Sequence, residues 1–144
     1  MSDNLHLLCS QCGARNRVPR ARLKENPRCG KCRAELLSGR PIDLPGALWH
    51  SFLAWNDLPL VVDFWASWCG HCRNFHMVFA EAAAVFRLQA RFIRIETEEQ
   101  PELARQYAIK GLPTQIILNR GREIARQAGA APLPVFSQWL KKYL

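Results

Sequence analysis

The sequence predicts an α/β protein, a central mixed sheet flanked by helices, with a small cysteine-stapled module in front of it. Three observations carry that expectation. The six cysteines fall as three Cys-x-x-Cys pairs, Cys9/Cys12, Cys29/Cys32 and Cys69/Cys72. Strand-like and helix-like patterns alternate after residue 41. Residues 1–40 carry nine Arg or Lys against three Asp or Glu and residues 41–144 carry eleven against nine, so +6 of the formal +8 sits at the front. A chain of 144 residues, 49% of them hydrophobic, has room for one compact domain plus an appendage and is too apolar for wholesale disorder. The expected division is 1–40 and 41–144.

The front module holds few large hydrophobes (Leu5, Leu7, Leu8, Val18, Leu23, Leu36 and Leu37), too few for such a segment to fold without a staple. Cys9-x2-Cys12, sixteen intervening residues and Cys29-x2-Cys32 supply one, because this is a structural zinc spacing. Two cysteines three apart turn their sulfurs to one point on a tight knuckle, and two knuckles complete a tetrahedron. Gly13 and Gly30 directly follow Cys12 and Cys29, where such a knuckle needs an unusual backbone angle. The expectation is a zinc-ribbon-like domain with Cys9, Cys12, Cys29 and Cys32 holding one structural ion. Two redox pairs or two local disulfides are the competing readings, and iron satisfies the same spacing. Arg15, Arg17, Arg20, Arg22, Arg28, Lys31 and Arg33 crowd these ligands. They offset the net negative charge of four thiolates around a divalent ion, or else contact phosphates. No aromatic residue lies within residues 1–40 to stack on single-stranded bases, so nucleic acid is not the expected partner.

Ser38-Gly39-Arg40-Pro41 marks a turn into the second module. Residues 45–55 read as a helix, with Leu48, Phe52 and Trp55 at helical spacing. Residues 60–66 are an apolar run broken only by Asp63, as in a central strand covered on both faces. Residues 72–89 predict a long helix whose Phe75, Phe79, Ala82, Ala83 and Phe86 recur every three or four positions. A strand at 91–95, a short helix at 101–107 opened by Pro101, and a strand at 114–119 follow. Arg120-Gly121 turns tightly into a partner strand at 123–127. A last helix opens at Pro132 or Pro134 and runs through Leu140, with Lys141 and Lys142 at its negative end.

Cys69-Gly70-His71-Cys72 lies where the strand at 60–66 passes into the long helix. Cys69 then stands at a helix N-terminus, where unpaired amides and the helix dipole favour a thiolate, the species that attacks a disulfide. Cys72, one turn into the helix, is the shielded partner that resolves the mixed disulfide. A third metal half-site would have no second half, since only scattered histidines remain. The first eight residues lack the charged start and long apolar core of a signal peptide, and no apolar run is long enough to cross a bilayer. A reducing, cytoplasmic setting without a membrane partner is therefore expected.

The stretch Val62-Asp63-Phe64-Trp65-Ala66-Ser67-Trp68-Cys69-Gly70-His71-Cys72 resembles the active-site signature of the thioredoxin family. Gly111-Leu112-Pro113-Thr114 resembles that family's cis-proline loop, and Gly121 and Gly129 fall at matching distances. The similarity covers roughly residues 41–144. With the four front cysteines it extends to the bacterial thioredoxin 2 type, a thioredoxin fold preceded by a zinc-binding domain. The resemblance implies protein-disulfide reduction with Cys69 as nucleophile, Cys72 as resolving cysteine and Asp63 as the buried carboxylate that takes the Cys72 proton. A lone acid in an apolar strand is costly when charged, so its pKa should rise towards the working range. The plainer alternative is a carboxylate paired for structure, and Arg94 is the candidate partner. Pro113 would lie against Cys69 and leave the backbone before it free to pair with an extended substrate, unless it is an ordinary loop proline. Trp68, Gly111, Leu112 and Gly129 would line the docking surface, with Trp65 either packing or contact. The resemblance further implies disulfide-containing protein substrates, recycling by an NADPH-dependent thioredoxin reductase, no bound organic cofactor, and a monomer.

Two departures from the family pattern matter. His71 replaces the usual proline of the motif, and with Gly70 it makes the Cys-Gly-His-Cys of protein disulfide isomerases. A cationic imidazole beside Cys69 would stabilise the reduced form and make the disulfide more oxidising, whereas a neutral, solvent-facing one would do little. Thioredoxin and the isomerase differ by about 90 mV. An isomerase or oxidant is therefore the competing enzyme, and a zinc-dependent redox sensor or binding module the competing class. Met77 stands near a position where many thioredoxins kink the helix with proline, so a straighter helix is expected. His76 reads as an ordinary surface residue, and His6 and His50 carry no visible chemistry.

Overall fold

The computed structural model describes residues 3–144. At the front, β1 (Asn4–Leu8) pairs antiparallel with β2 (Arg15–Pro19), and the cysteine knuckle between them is itself the hairpin turn. A 3-10 turn at Arg20–Glu25 leads to the second knuckle. This hairpin is not expected from sequence, because its strands are short and only Leu5, Leu7 and Val18 mark their inner face. Those three residues pack with Cys9, Cys29, Leu36 and Leu37, and the cluster is completed by Leu58 and Leu88 from the second module. The small apolar count of the front is thus supplemented by its neighbour as well as by the four thiols.

The second module is a five-stranded sheet. Its strands are β3 (Ile42–Asp43), β4 (Leu60–Trp65), β5 (Arg91–Glu96), β6 (Thr114–Asn119) and β7 (Arg122–Ala128), in the spatial order β3-β5-β4-β6-β7. β4 runs parallel to β5 and antiparallel to β6, so the sheet is mixed as expected. β4 alternates its side chains between two cores. Leu60, Val62 and Phe64 face α1 (Trp49–Trp55) and α3 (Pro101–Gln106) through Trp49, Phe52 and Leu103. Val61 faces α2 (Gly70–Val85) and α4 (Leu133–Tyr143) through Phe75, Phe79, Phe136 and Leu140. The two-residue period of a strand puts Asp63 on the α2 side as well.

Several element boundaries differ from expectation: the two-residue strand β3 is not foreseen, and α4 continues past Leu140 to Tyr143. The first helix begins as a 3-10 turn at Gly46–Leu48, closed by the Leu48 amide on the Pro45 carbonyl at 2.9 Å. α2 starts at Gly70 rather than at residue 72, because Cys69 caps it, and stops at Val85 rather than 89. Beyond it the chain turns at Phe86 and delivers Leu88 to the front core. Met77 is exposed and α2 runs unbroken past it. In the β6–β7 turn both central residues, Arg120 (φ 52) and Gly121 (φ 82), are left-handed, the conformation that matches strand twist in a two-residue hairpin.

The two modules are joined by specific polar contacts. Arg91 is buried and donates through Nη1 to the Leu8 carbonyl at 3.0 Å and to Asn56 Oδ1 at 2.8 Å. Asp57 accepts from the His6 backbone amide at 2.7 Å and lies 3.1 Å from His6 Nδ1. His6, expected to be idle, therefore belongs to the joint, edge-on against Trp55.

Candidate active site and metal centre

The two knuckles repeat the same hydrogen bonds twenty residues apart. The Cys9 amide donates to the Ala14 carbonyl at 2.9 Å and the Gly13 amide to the Cys9 carbonyl at 3.0 Å. In the second knuckle the Cys29 amide donates to Ala34 at 2.8 Å and the Arg33 amide to Cys29 at 2.9 Å. Gly13 (φ 75) takes the left-handed angle as expected, but its counterpart is Arg33 (φ 69), not Gly30. The strained position follows the second cysteine of each pair, whereas Gly30 follows the first and donates its amide to Asn16 Oδ1 at 2.9 Å.

All four sulfurs lie within 4.8 Å of one another, with Cys9–Cys32 and Cys12–Cys29 each at 3.6 Å. A tetrahedron with metal–sulfur bonds of about 2.3 Å has edges of about 3.8 Å, so the donor set fits a zinc ion. The amides of Gln11 and Lys31 donate to Cys9 and Cys29 Sγ, both at 3.4 Å, as they would to thiolates. Hydrogen bonds from the Cys32 amide and Asn16 pull Cys29 down to about 6. Cys32 is pushed up to about 11: the Ala34 amide favours its thiolate, but burial and the neighbouring sulfurs outweigh it. Four thiols this close oppose one another's ionisation unless a cation sits among them.

The second cluster is built where β4 meets α2. Cys69 is the N-cap residue of α2, and its Sγ accepts the Cys72 amide at 3.2 Å. It also lies 3.8 Å from the Leu112 carbonyl. The Leu112–Pro113 peptide is cis, and Pro113 is held in place by the Gly129 amide on its carbonyl at 2.8 Å and by Thr114 Oγ1 on the Gly111 carbonyl at 2.6 Å. Cys69, Leu112, Pro113, Gly111 and Gly129 are thereby brought to one place. Cys69 is nearly covered and Cys72 fully buried, while Trp68 beside them is 67% exposed. His71 and Gly70 are solvent-facing on the first turn of α2. Burial pushes the Cys72 thiol up to about 12, helped by its contact with the Cys69 sulfur.

Asp63 is fully buried and its carboxyl is raised to about 7, chiefly by burial, against the lowering effects of a Gln115 hydrogen bond and the Arg94 charge. Its bonded partner is Gln115, whose Nε2 donates to Oδ1 at 3.1 Å. The expected partner, Arg94, instead forms its ion pair with Asp43 at 3.5 Å and acts on Asp63 only through space. A guanidinium alongside β4 satisfies the edge strand β3, which offers an exposed carboxylate at lower desolvation cost.

Comparison with known proteins decides the family. The thioredoxin family profile matches residues 42–142, and that of the thioredoxin 2 N-terminal zinc ribbon matches residues 8–34. The chain belongs to the thioredoxin family. Thioredoxin C-3 of Corynebacterium nephridii is 36% identical over 138 residues, covering 96% of this chain and 94% of that protein. Thioredoxin 1 of Nostoc is 38% identical over 89 residues, covering 62% of this chain and 83% of its own. Among solved structures, Schistosoma mansoni thioredoxin superposes with a TM-score of 0.65 at 28% identity, covering 74% of this chain and 97% of that one. The likeness identifies this thioredoxin as a thiol-disulfide oxidoreductase with a zinc ribbon at its front. Among the described residues no helix is long and apolar enough to cross a membrane.

Sequence reasoning also misses Gln115 and misreads His76 in this thioredoxin. Gln115 is hidden inside the apolar strand 114–119, although a glutamine in a central strand is itself a signal, since burying its amide demands partners. His76 is not an ordinary surface residue: it stands edge-on against Trp65 at 4.7 Å, and burial lowers its pKa. The same contact packs one edge of the half-buried Trp65 against α2.

Proposed function

We propose that this thioredoxin reduces protein disulfides through Cys69 and Cys72 with Asp63 as proton acceptor, its residues 1–40 forming the zinc-binding unit and 41–144 the catalytic one. The Cys69 thiolate attacks one sulfur of the substrate disulfide. A Cys69–substrate disulfide forms, and the other substrate sulfur leaves as a thiolate. Cys72 then gives its proton to Asp63 and attacks the Cys69 sulfur. The Cys69–Cys72 disulfide forms, the second substrate thiolate departs, and Asp63 returns its proton to solvent. The substrate gains two electrons and the protein loses two, which an NADPH-dependent thioredoxin reductase restores. Trp68, Gly111, Leu112, Pro113 and Gly129 would receive the substrate, whose extended backbone pairs with the residue before Pro113.

One observation carries this reading: Cys69 Sγ is capped by a helix amide at 3.2 Å and lies beside the Leu112 carbonyl, while its partner cysteine is buried behind it. Such a site attacks first with the outer sulfur and resolves with the inner one. A single zinc, held by Cys9, Cys12, Cys29 and Cys32, is structural, and four thiolate ligands suit a reducing cytoplasm better than an oxidising compartment. The chain works as a monomer. The test is Cys69→Ser, which should abolish reduction of insulin disulfides; full activity in that variant would sink the mechanism.

The exposed His71 favours a second reading, a couple more oxidising than an ordinary thioredoxin and nearer to an isomerase. Replacing it by the family's proline, His71→Pro, should lower the reduction potential measured against a glutathione buffer. An unchanged or raised potential removes the histidine from the account.

A further inference from the structure

Strand register sets five polar side chains in one row across the sheet: Asp43, Arg94, Asp63, Gln115 and Gln127, on β3, β5, β4, β6 and β7 in turn. The next row on the same face, Phe92, Val61 and Ile117, is wholly apolar. Gln115 is completely buried, and its Nε2 donates both to Asp63 Oδ1 at 3.1 Å and to the Gly129 carbonyl at 3.3 Å. Both partners are acceptors, so the amide can face them only with its nitrogen. Two buried acceptors are then left without a donor, Asp63 Oδ2 and Gln115 Oε1. A hydrocarbon at position 115 would avoid the second of these costs altogether.

We propose that Gln115 is a positioning residue for the second half-reaction: its amide holds Asp63 by Oδ1 and ties it to the Gly129 loop, leaving Oδ2 as the atom that takes the Cys72 proton. The inference rests on the reading of Asp63 as proton acceptor. The other groups facing Asp63 are Arg94 from β5, itself paired with Asp43, and the Cys72 thiol from α2. Arg94 and Gln115 favour the ionised acid, and burial opposes it. The Gly129 link ties the donor that steadies the base, on β6, to the loop proposed to receive substrate.

The test separates the two chemical steps. Reduced protein is mixed with dithiobis(nitrobenzoate) in stopped flow, where the first thionitrobenzoate released reports attack by Cys69 and the second reports attack by Cys72. In Gln115→Met, which keeps length and loses the amide, the midpoint of the second phase should rise by about one pH unit. The midpoint of the first phase should stay in place. Gln115→Glu keeps the shape and should also raise the second midpoint, by adding a like charge beside Asp63. A second phase slowed by one factor at every pH, its midpoint fixed in both variants, overturns the proposal. Asp63→Asn distinguishes the two levels. If that variant keeps the wild-type midpoint, Asp63 is not the acceptor and both readings fall; if only the Gln115 variants are unmoved, Gln115 alone is dismissed.

Discussion

Asp63 is where function and stability conflict most directly. Its carboxyl titrates at about 7 in the folded chain, against 3.8 for a free aspartate. The folded state therefore binds the proton more tightly than the unfolded state, and stability falls as pH rises from about 4 to about 7. A carboxyl raised that far costs the folded state on the order of 4 kcal/mol above that window. Asp63→Asn should abolish this decline, so its gain in urea-unfolding stability over wild type grows across the window and levels off above it. Parallel curves for the two proteins would show that the buried acid does not carry the cost. On the role proposed for Asp63, the same variant should also resolve mixed disulfides slowly, which would tie the instability to the chemistry. Asp63 is legible in the sequence because a lone acid in an apolar strand has few explanations. Gln115 is not, because its role depends on which strand lies next to β4, and strand order is not written in a period-two pattern.

At the scale of elements, α2 is held over the sheet by aromatic packing. Phe136 of α4 stands edge-on to Phe75 at 5.0 Å, tilted to Phe79 at 6.1 Å and stacked on Trp139 at 5.8 Å. It is completely buried, so truncation leaves a cavity that rigid neighbours cannot collapse into. Phe136→Ala should cost about 3–5 kcal/mol of unfolding free energy. The active-site loop is fixed instead by β4, the Cys69 cap and the Gly129–Pro113 contact. Insulin reduction per folded molecule should therefore survive well below the melting temperature; a loss of activity without a loss of stability would show that α4 positions the cysteines. The central elements of the second module, β4, β5, β6 and α2, are readable because each buries an apolar face, whereas the two-residue edge strand β3 is not foreseen and β7, which buries no side chain, is read from the Arg120-Gly121 turn. The front hairpin is not readable, since its strands are short and part of its core is borrowed from Leu58 and Leu88. The Gly30 expectation fails for a related reason: the left-handed site is set by the knuckle's hydrogen bonds, which Arg33 meets without being glycine.

The whole molecule turns on Arg91, a buried cation with no carboxylate among its hydrogen-bond partners in the described residues. It bonds the Leu8 carbonyl and Asn56, and its guanidinium lies 5.1 Å from the centre of the Phe52 ring. Burial pulls the guanidinium down to about 10, and the charge on Cys9 acts in the opposite direction. Leu8 packs in the main core while the next residue, Cys9, is a candidate zinc ligand, so Arg91 links the sheet strand β5 to the chain beside the candidate metal centre. With zinc bound, the four thiolates would carry a net charge of about −2, and among them Cys9 is the one whose charge acts on Arg91. Removing a bound ion and reprotonating the thiols would take that compensation away, and the loss would reach the catalytic module through Arg91. Chelation should thus lower the urea midpoint of wild type more than that of Arg91→Met, which has no buried cation to strand. The expected coupling between chelation and the substitution is about 1–3 kcal/mol. Equal losses in the two proteins would mean that the ribbon and the sheet are joined by packing alone, with the metal stabilising only its own loop.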